Sequence, residues 1–209
     1  MEKGLTVLFP GFGYGPDKPL LHYAGKCAAA CGYDRISVNY RWLDADPEHS
    51  LKERTENSLE GAVLDALRTI REAGEYRKMI FVSKSFGTFV AGETEKLLKD
   101  SGISIYQVYL TPLPQTYERY MRGEKCLAVT GSADPLMTAE AREWMRLDPK
   151  VDLMVMENGN HSLENPQDPL ESIQILETVT RKILSVFTLT EEKNQKTEKE
   201  YRGNDLCSM

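Results

Sequence analysis

Met79-Ile80-Phe81-Val82 sets four apolar side chains in a row, and that run constrains the fold more than any other stretch. A strand that meets water on one face alternates polar and apolar residues; one buried on both faces does not, and such strands belong to parallel sheets covered by helices on either side. The run stops in Ser83-Lys84-Ser85-Phe86-Gly87, and helix formers follow from Thr88 to Lys99, up to the stop signal Asp100-Ser101-Gly102. Ser85 therefore sits on a strand-to-helix turn. A turn this sharp holds its central residue in a sparsely populated backbone region, at a cost of roughly 1–3 kcal/mol, and it needs small residues two before and two after. Ser83 and Gly87 meet that need. The turn lifts the Ser85 hydroxyl above the sheet, beside the free N–H groups of the helix's first turn.

The rest of the chain repeats the alternation. Leu5 to Phe9, Ile36 to Tyr40, Ile103 to Leu110, Cys126 to Thr130 and Val151 to Met156 read as the other strands. Between them, Lys18 to Cys31 places Leu21, Ala24, Ala28 and Cys31 on one helical face, and Asn57 to Ala73 spaces Leu59, Ala62, Val63, Ala66, Leu67, Ile70 and Ala73 by threes and fours. A further helix carries Ala141, Trp144 and Met145. Asp168 caps a last one, opened by Pro169 and running to Phe187 with Ile173, Leu176, Val179, Ile183 and Val186 inward. Strands alternating with helices predict one α/β domain over residues 1–189: about six parallel strands joined by right-handed crossovers, with helices on both faces. Only Gln115 to Glu124 separates the strands Ile103 to Leu110 and Cys126 to Thr130, which leaves no room for a separate domain between them. Residues 190–209 are charged and nearly free of apolar residues; they read as a tail that buries too little surface to offset its ordering entropy.

Loops at the C-terminal ends of parallel strands converge on one face of the sheet. Three such loops carry Ser85, Gly131-Ser132-Ala133-Asp134 and Glu157-Asn158-Gly159-Asn160-His161, and a fourth, Pro10 to Gly15, has three glycines in five positions. A serine hydroxyl is a poor nucleophile at neutral pH until a base removes its proton. His161 can act as that base, and Asp134 can hold the imidazole in the right tautomer.

The segment Ser83 to Gly87 resembles the nucleophile elbow, G-x-S-x-G, of the α/β-hydrolase family, with Ser83 in place of the first glycine. The order Ser85, Asp134, His161 is also the order that family uses. The resemblance implies a three-layer α/β-hydrolase domain without a cap, beginning at the equivalent of the family's third strand. It implies a serine hydrolase that cleaves a carboxylic ester or thioester through an acyl-enzyme intermediate, with no metal or cofactor. The glycine loop is similar to the family's H-G-x-G segment, with Pro10 replacing the histidine, so the backbone N–H groups of Phe12 and Phe86 are the implied oxyanion hole. Tyr40-Arg41 is similar to the ending of the family's fourth strand. A capless cleft would be shallow, walled by Phe12, Tyr14, Trp42, Leu113, Leu136 and Leu163, and suited to a small-molecule acyl substrate. Trp42 reads more readily as a core or packing aromatic than as a pocket wall. Lys84 reads either as a solvated or ion-paired structural residue or as a contact for an acidic substrate group. Asp44 or Asp46 is the fallback acid should Asp134 not serve, whereas His22 lies inside a helix and His49 in a polar loop.

Composition narrows the partners. With 26 Lys and Arg against 32 Asp and Glu the net charge is -6, and no basic stripe suits a phosphate backbone, so no nucleic-acid partner is expected. No apolar run approaches the roughly 18–20 residues of a membrane span, and Met1 to Gly4 leads straight into a strand, so a cytoplasmic location is expected. Cys27, Cys31, Cys126 and Cys207 are dispersed and outline no disulfide framework; Cys27 and Cys31 read as small core residues of one helix. Two other function classes stand beside hydrolysis. A hydrolase-like scaffold that binds without chemistry is suggested by Ser83 and Lys84. A dinucleotide-binding loop is disfavoured because Pro16 stands where the third glycine of G-x-G-x-x-G belongs.

Overall fold

The computed structural model describes residues 3–40 and 51–205, with side chains placed over 3–40 and 58–190. The strands are β1 (Leu5–Phe9), β2 (Asp34–Ser37), β3 (Lys78–Lys84), β4 (Ser104–Leu110), β5 (Cys126–Gly131) and β6 (Val151–Met156). They form one sheet in the order β2-β1-β3-β4-β5-β6, and every neighbouring pair is parallel. Parallel neighbours cannot be joined by hairpins, so helices make the crossovers. These are α1 (Pro19–Ala30), α2 (Leu51–Ala73), α3 (Gly87–Leu98), the single turn α4 (Pro114–Thr116) and α5 (Ala139–Leu147), with α6 (Pro169–Asp205) after β6. The fold class is the one expected from the sequence.

Strand parity sends alternate side chains to two cores. On one face Leu8, Ile80, Val82, Val108 and Leu110 meet Leu21 and Ala24 of α1 and Val179, Ile183 and Phe187 of α6. On the other, Val7, Phe9, Met79 and Phe81 meet Ala62, Ala66 and Ile70 of α2 and Val90 of α3. Tyr109 and Ala128 extend that face under Phe89, Met121 and Met145. Because β2 lies to one side of β1 and β3 to the other, the strand order reverses at β1, and the loops after β1 and β3 part around a crevice. That is where open parallel sheets bind ligands.

The structure differs from the sequence reading in four places. β2 starts at Asp34, not Ile36: it is an edge strand, its Asp34 N–H donates to the Gly4 carbonyl at 2.9 Å, and its outer side tolerates charge. α2 begins at Leu51, six residues early, because Leu51-Lys52-Glu53-Arg54 are good helix formers without an apolar period to announce them. On α6, Ile175 faces the core while Ile173 is exposed, so the buried stripe starts two residues later than expected. The same helix continues to Asp205, through the segment expected to be a tail. No Pro or Gly falls between Pro169 and Gly203, so a helix nucleated on the core has nothing to stop it. Between β4 and β5 the chain makes only α4 and a π-helical turn, Tyr117–Met121. No described helix is long and apolar enough to cross a membrane.

Candidate active site

Ser85 follows β3 directly and has a φ of 52°. For a side chain other than glycine this left-handed conformation is strained and persists only where its surroundings impose it. Here they do. The Ser85 N–H donates to the Leu110 carbonyl at 3.1 Å, and the Ser85 carbonyl accepts from the Thr88 N–H at 2.9 Å and from Thr88 Oγ1 at 2.6 Å. Helix α3 starts so close to β1 that a Cβ on Gly87 would stand 2.3 Å from the Phe9 carbonyl oxygen. Ser83 is fully buried, and its hydroxyl donates to the Val108 carbonyl at 3.3 Å, which shows how a serine replaces the usual glycine there.

Two other loops come to this turn. After β5, Asp134 is buried and its Oδ1 accepts from the Leu136 N–H at 2.9 Å. After β6, Asn158 and Leu163 both have a φ of 56°, and Asn160 Oδ1 accepts from the N–H groups of Ser162 at 2.7 Å and Glu164 at 3.2 Å, so the His161 loop is closed on itself. The two loops are tied by Ala133 N–H to the Gly159 carbonyl at 3.0 Å and Asn158 N–H to Ser132 Oγ at 2.9 Å. His161 ends between its two partners, with Nε2 2.8 Å from Ser85 Oγ and Nδ1 2.8 Å from Asp134 Oδ2. The Asp134 side chain has no exposure, whereas that of His161 is 23% exposed. The carboxyl group is sealed and the imidazole is reachable. This arrangement can move a proton from the serine hydroxyl to the imidazole while a fixed negative charge faces the far nitrogen.

Phe12 and Phe86 lie side by side, their rings stacked with centroids 4.4 Å apart. The glycine loop that carries Phe12 is held by reciprocal Gly11 and Tyr14 backbone bonds of 3.1 Å, and the Tyr40 hydroxyl donates to the Pro10 carbonyl. Phe86 leads into α3 with its N–H at the helix's positive end. The expected pocket residues fare differently. Leu136 is exposed beside the site. Leu113 is at the edge of the core with Phe89 and Tyr120. Tyr14 is half-buried, its hydroxyl accepts from the Leu20 N–H at 3.1 Å, and burial pushes its pKa up to about 12. Leu163 does not wall a cleft: it is 1% exposed, turned into the α1 and α6 core by its left-handed backbone. Trp42, Asp44, Asp46 and His49 lie outside the described residues. His22 is exposed on α1 against Tyr23, away from Ser85.

Beside the glycine loop is a cavity of about 480 Å³ lined by Phe12, Asp17, Ser37, Asn39 and Tyr40. Asp17 and Asn39 were not anticipated, although Asn39 stands two residues past β2 and Asp17 in the loop that leads from β1 to α1. Nor was the place of Lys84, which is 1% exposed and donates from Nζ to the His161 carbonyl at 2.8 Å. Burial pulls its pKa down to about 7, against the opposing pull of Asp134. Among the described residues no group of three or more His, Cys, Asp or Glu is placed to hold a metal ion.

No family model matches the sequence, and no curated protein matches it. Solved structures do. A protein from Xanthomonas campestris pv. campestris assigned to the α/β hydrolase superfamily superposes with a TM-score of 0.66 at 14% identity, covering 90% of this chain and 99% of that one. An α/β serine hydrolase without a lid, also from Xanthomonas campestris, gives a TM-score of 0.59 at 15% identity, covering 87% of this chain and 83% of its own. Est1E from Butyrivibrio proteoclasticus, in a structure with ferulic acid bound, gives 0.60 at 12% identity, covering 88% and 89%. The chain has the α/β-hydrolase fold.

Proposed function

We propose that this protein is a serine hydrolase that cleaves a carboxylic ester or thioester of a small acyl group through an acyl-enzyme. The observation that carries the reading is the single imidazole within 2.8 Å of both the Ser85 hydroxyl and the Asp134 carboxylate. In this reading His161 Nε2 takes the Ser85 proton as Oγ attacks the carbonyl carbon. The oxygen that becomes negative is met by the N–H groups of Phe12 and Phe86, preorganised by a glycine turn and a helix start, and Asp134 stabilises the imidazolium. The proton then passes to the departing alcohol or thiol, and water, activated by the same imidazole, releases the acid. The strained φ of Ser85 supports the reading, because strain of this kind concentrates at functional turns.

The short connection between β4 and β5 supports an open approach, and the cavity next to Phe12 has room for a small acyl or alcohol group. Ferulic acid on Est1E puts aromatic acyl esters in the first panel of substrates. The test is hydrolysis of short p-nitrophenyl esters and acyl thioesters, together with labelling by a fluorophosphonate probe located by mass spectrometry. The reading expects turnover and a label on Ser85. A folded protein that neither turns over any of these esters nor takes the label at Ser85 is a binding scaffold instead.

A further inference from the structure

Lys84 is a charged side chain sealed in the core one residue before Ser85, and the proton relay makes no use of it. It lies at the end of β3, on the face that also carries Ile80 and Val82, so its stem runs beneath the loops and not toward solvent. At 1% exposure it cannot meet a substrate group. What it meets is the inside of the site. Its Nζ donates to the His161 carbonyl at 2.8 Å and lies 4.9 Å from the centre of the Tyr14 ring. A Cβ built on Gly11 would stand 3.5 Å from its Cγ. Lys84 thus touches the glycine loop after β1 and the histidine loop after β6, while its backbone continues into the serine turn. Asp134, from the loop after β5, acts on it electrostatically, and Glu164 acts on Tyr14.

Resting on the hydrolase reading, we infer that Lys84 is a positioning residue: its Nζ, bonded to the His161 carbonyl, sets where the imidazole stands relative to Ser85 and Asp134. An aliphatic chain filling the same space would pack at least as well, so the charge is not there for the core. A donor aimed at a backbone carbonyl fixes the loop without occupying either imidazole nitrogen, which leaves both free for proton transfer. A charged donor makes a stronger bond than a neutral one. Deprotonation of Lys84, which falls near neutral pH, leaves a neutral donor on the His161 carbonyl, and the loop is held less firmly.

The experiment compares wild type with Lys84→Met, which keeps the stem and removes the donor. Lys84→Gln, an uncharged donor, is a second variant should Met not give folded protein. Three quantities are read: kcat and KM on the best p-nitrophenyl ester, the rate of fluorophosphonate labelling at Ser85, and the dependence of both rates on pH from 6 to 9. We expect a folded Lys84→Met protein whose kcat and labelling rate fall about ten- to a hundredfold with KM within about twofold of wild type. We also expect a wild-type profile with a downward step of a few-fold centred near pH 7, absent from the variant. Equal labelling rates, or profiles of the same shape, in wild type and variant overturn the inference and leave the hydrolase reading standing. A wild type that does not label at all overturns both.

Discussion

The α-carbon of Gly131 faces the carbonyl of Gly159 so closely that a Cβ on Gly131 would stand 1.8 Å from that oxygen. These two glycines are where the loop carrying Asp134 and the loop carrying His161 cross. Their contact sets the height of the acid relative to the base, and the 2.8 Å bond between Asp134 and His161 depends on it.

Gly131→Ala should therefore cost both stability and catalysis. Backbone on both sides leaves no flexible neighbour to give way, so the variant should lose about 2–4 kcal/mol, at the upper end of what overpacking does. Ester turnover should drop even where the protein remains folded, because the forced separation of the loops opens the Asp134 to His161 bond. Urea titration and ester kinetics on one sample check this. A variant with wild-type stability would show that the two loops can slide past each other.

Removing the Ser85 hydroxyl tests the reaction itself. Ser85→Ala should reduce turnover by on the order of 10⁶ and abolish probe labelling. It should not destabilise the fold, since alanine must adopt the same positive φ that serine already bears. Activity on p-nitrophenyl acetate that survives the substitution would place the chemistry on another residue.

Asp134→Asn separates orientation from packing. Both carboxylate oxygens accept hydrogen bonds, one from Leu136 N–H and one from His161. An amide can keep only one acceptor, and turned toward His161 its NH₂ favours the wrong imidazole tautomer. A loss of about 10⁴ in kcat is expected. Loss of less than about tenfold would mean that His161 is oriented by something other than this carboxylate.

How much of this was legible in the sequence depends on what each residue has to do. The placement of Ser85, Asp134 and His161 could be read because it follows from topology: each stands just past a strand, and parallel strands bring such positions together. The positive φ of Ser85 could be read from its small neighbours Ser83 and Gly87. Contacts set by the direction of one side chain could not. Leu163 reads as an apolar loop residue fit to wall a pocket, yet a left-handed backbone turns it inward. Ile173 and Ile175 both fit a helical stripe, and only the point at which α6 reaches the sheet decides between them. For Lys84 the parity of β3 decides the face, and a four-carbon stem decides which loop it reaches; no local pattern records either. The extension of α6 was missed because a polar composition argues against a core but not against continuing a helix already formed.

The buried Lys84 also makes a prediction about stability that is independent of catalysis. Its pKa falls from 10.5 to about 7 on folding, chiefly by burial. Between those values the unfolded chain holds the proton and the native state does not, so stability rises with pH through this window. Below about pH 7 both states are protonated and the full penalty, on the order of 5 kcal/mol, is present; above about 10.5 neither is, and it vanishes. Lys84→Met has no such group. The difference in unfolding free energy between variant and wild type cancels every titration the two proteins share. What remains is a pH-independent part, which includes the lost bond to the His161 carbonyl, and the lysine term. The variant's advantage should shrink by roughly 3 kcal/mol between pH 6.5 and 9.5, whatever its sign at either end. Urea unfolding of both proteins at the two pH values measures it. A difference that stays constant would mean that Lys84 keeps its proton in the folded protein across that whole range, with Asp134 compensating its burial.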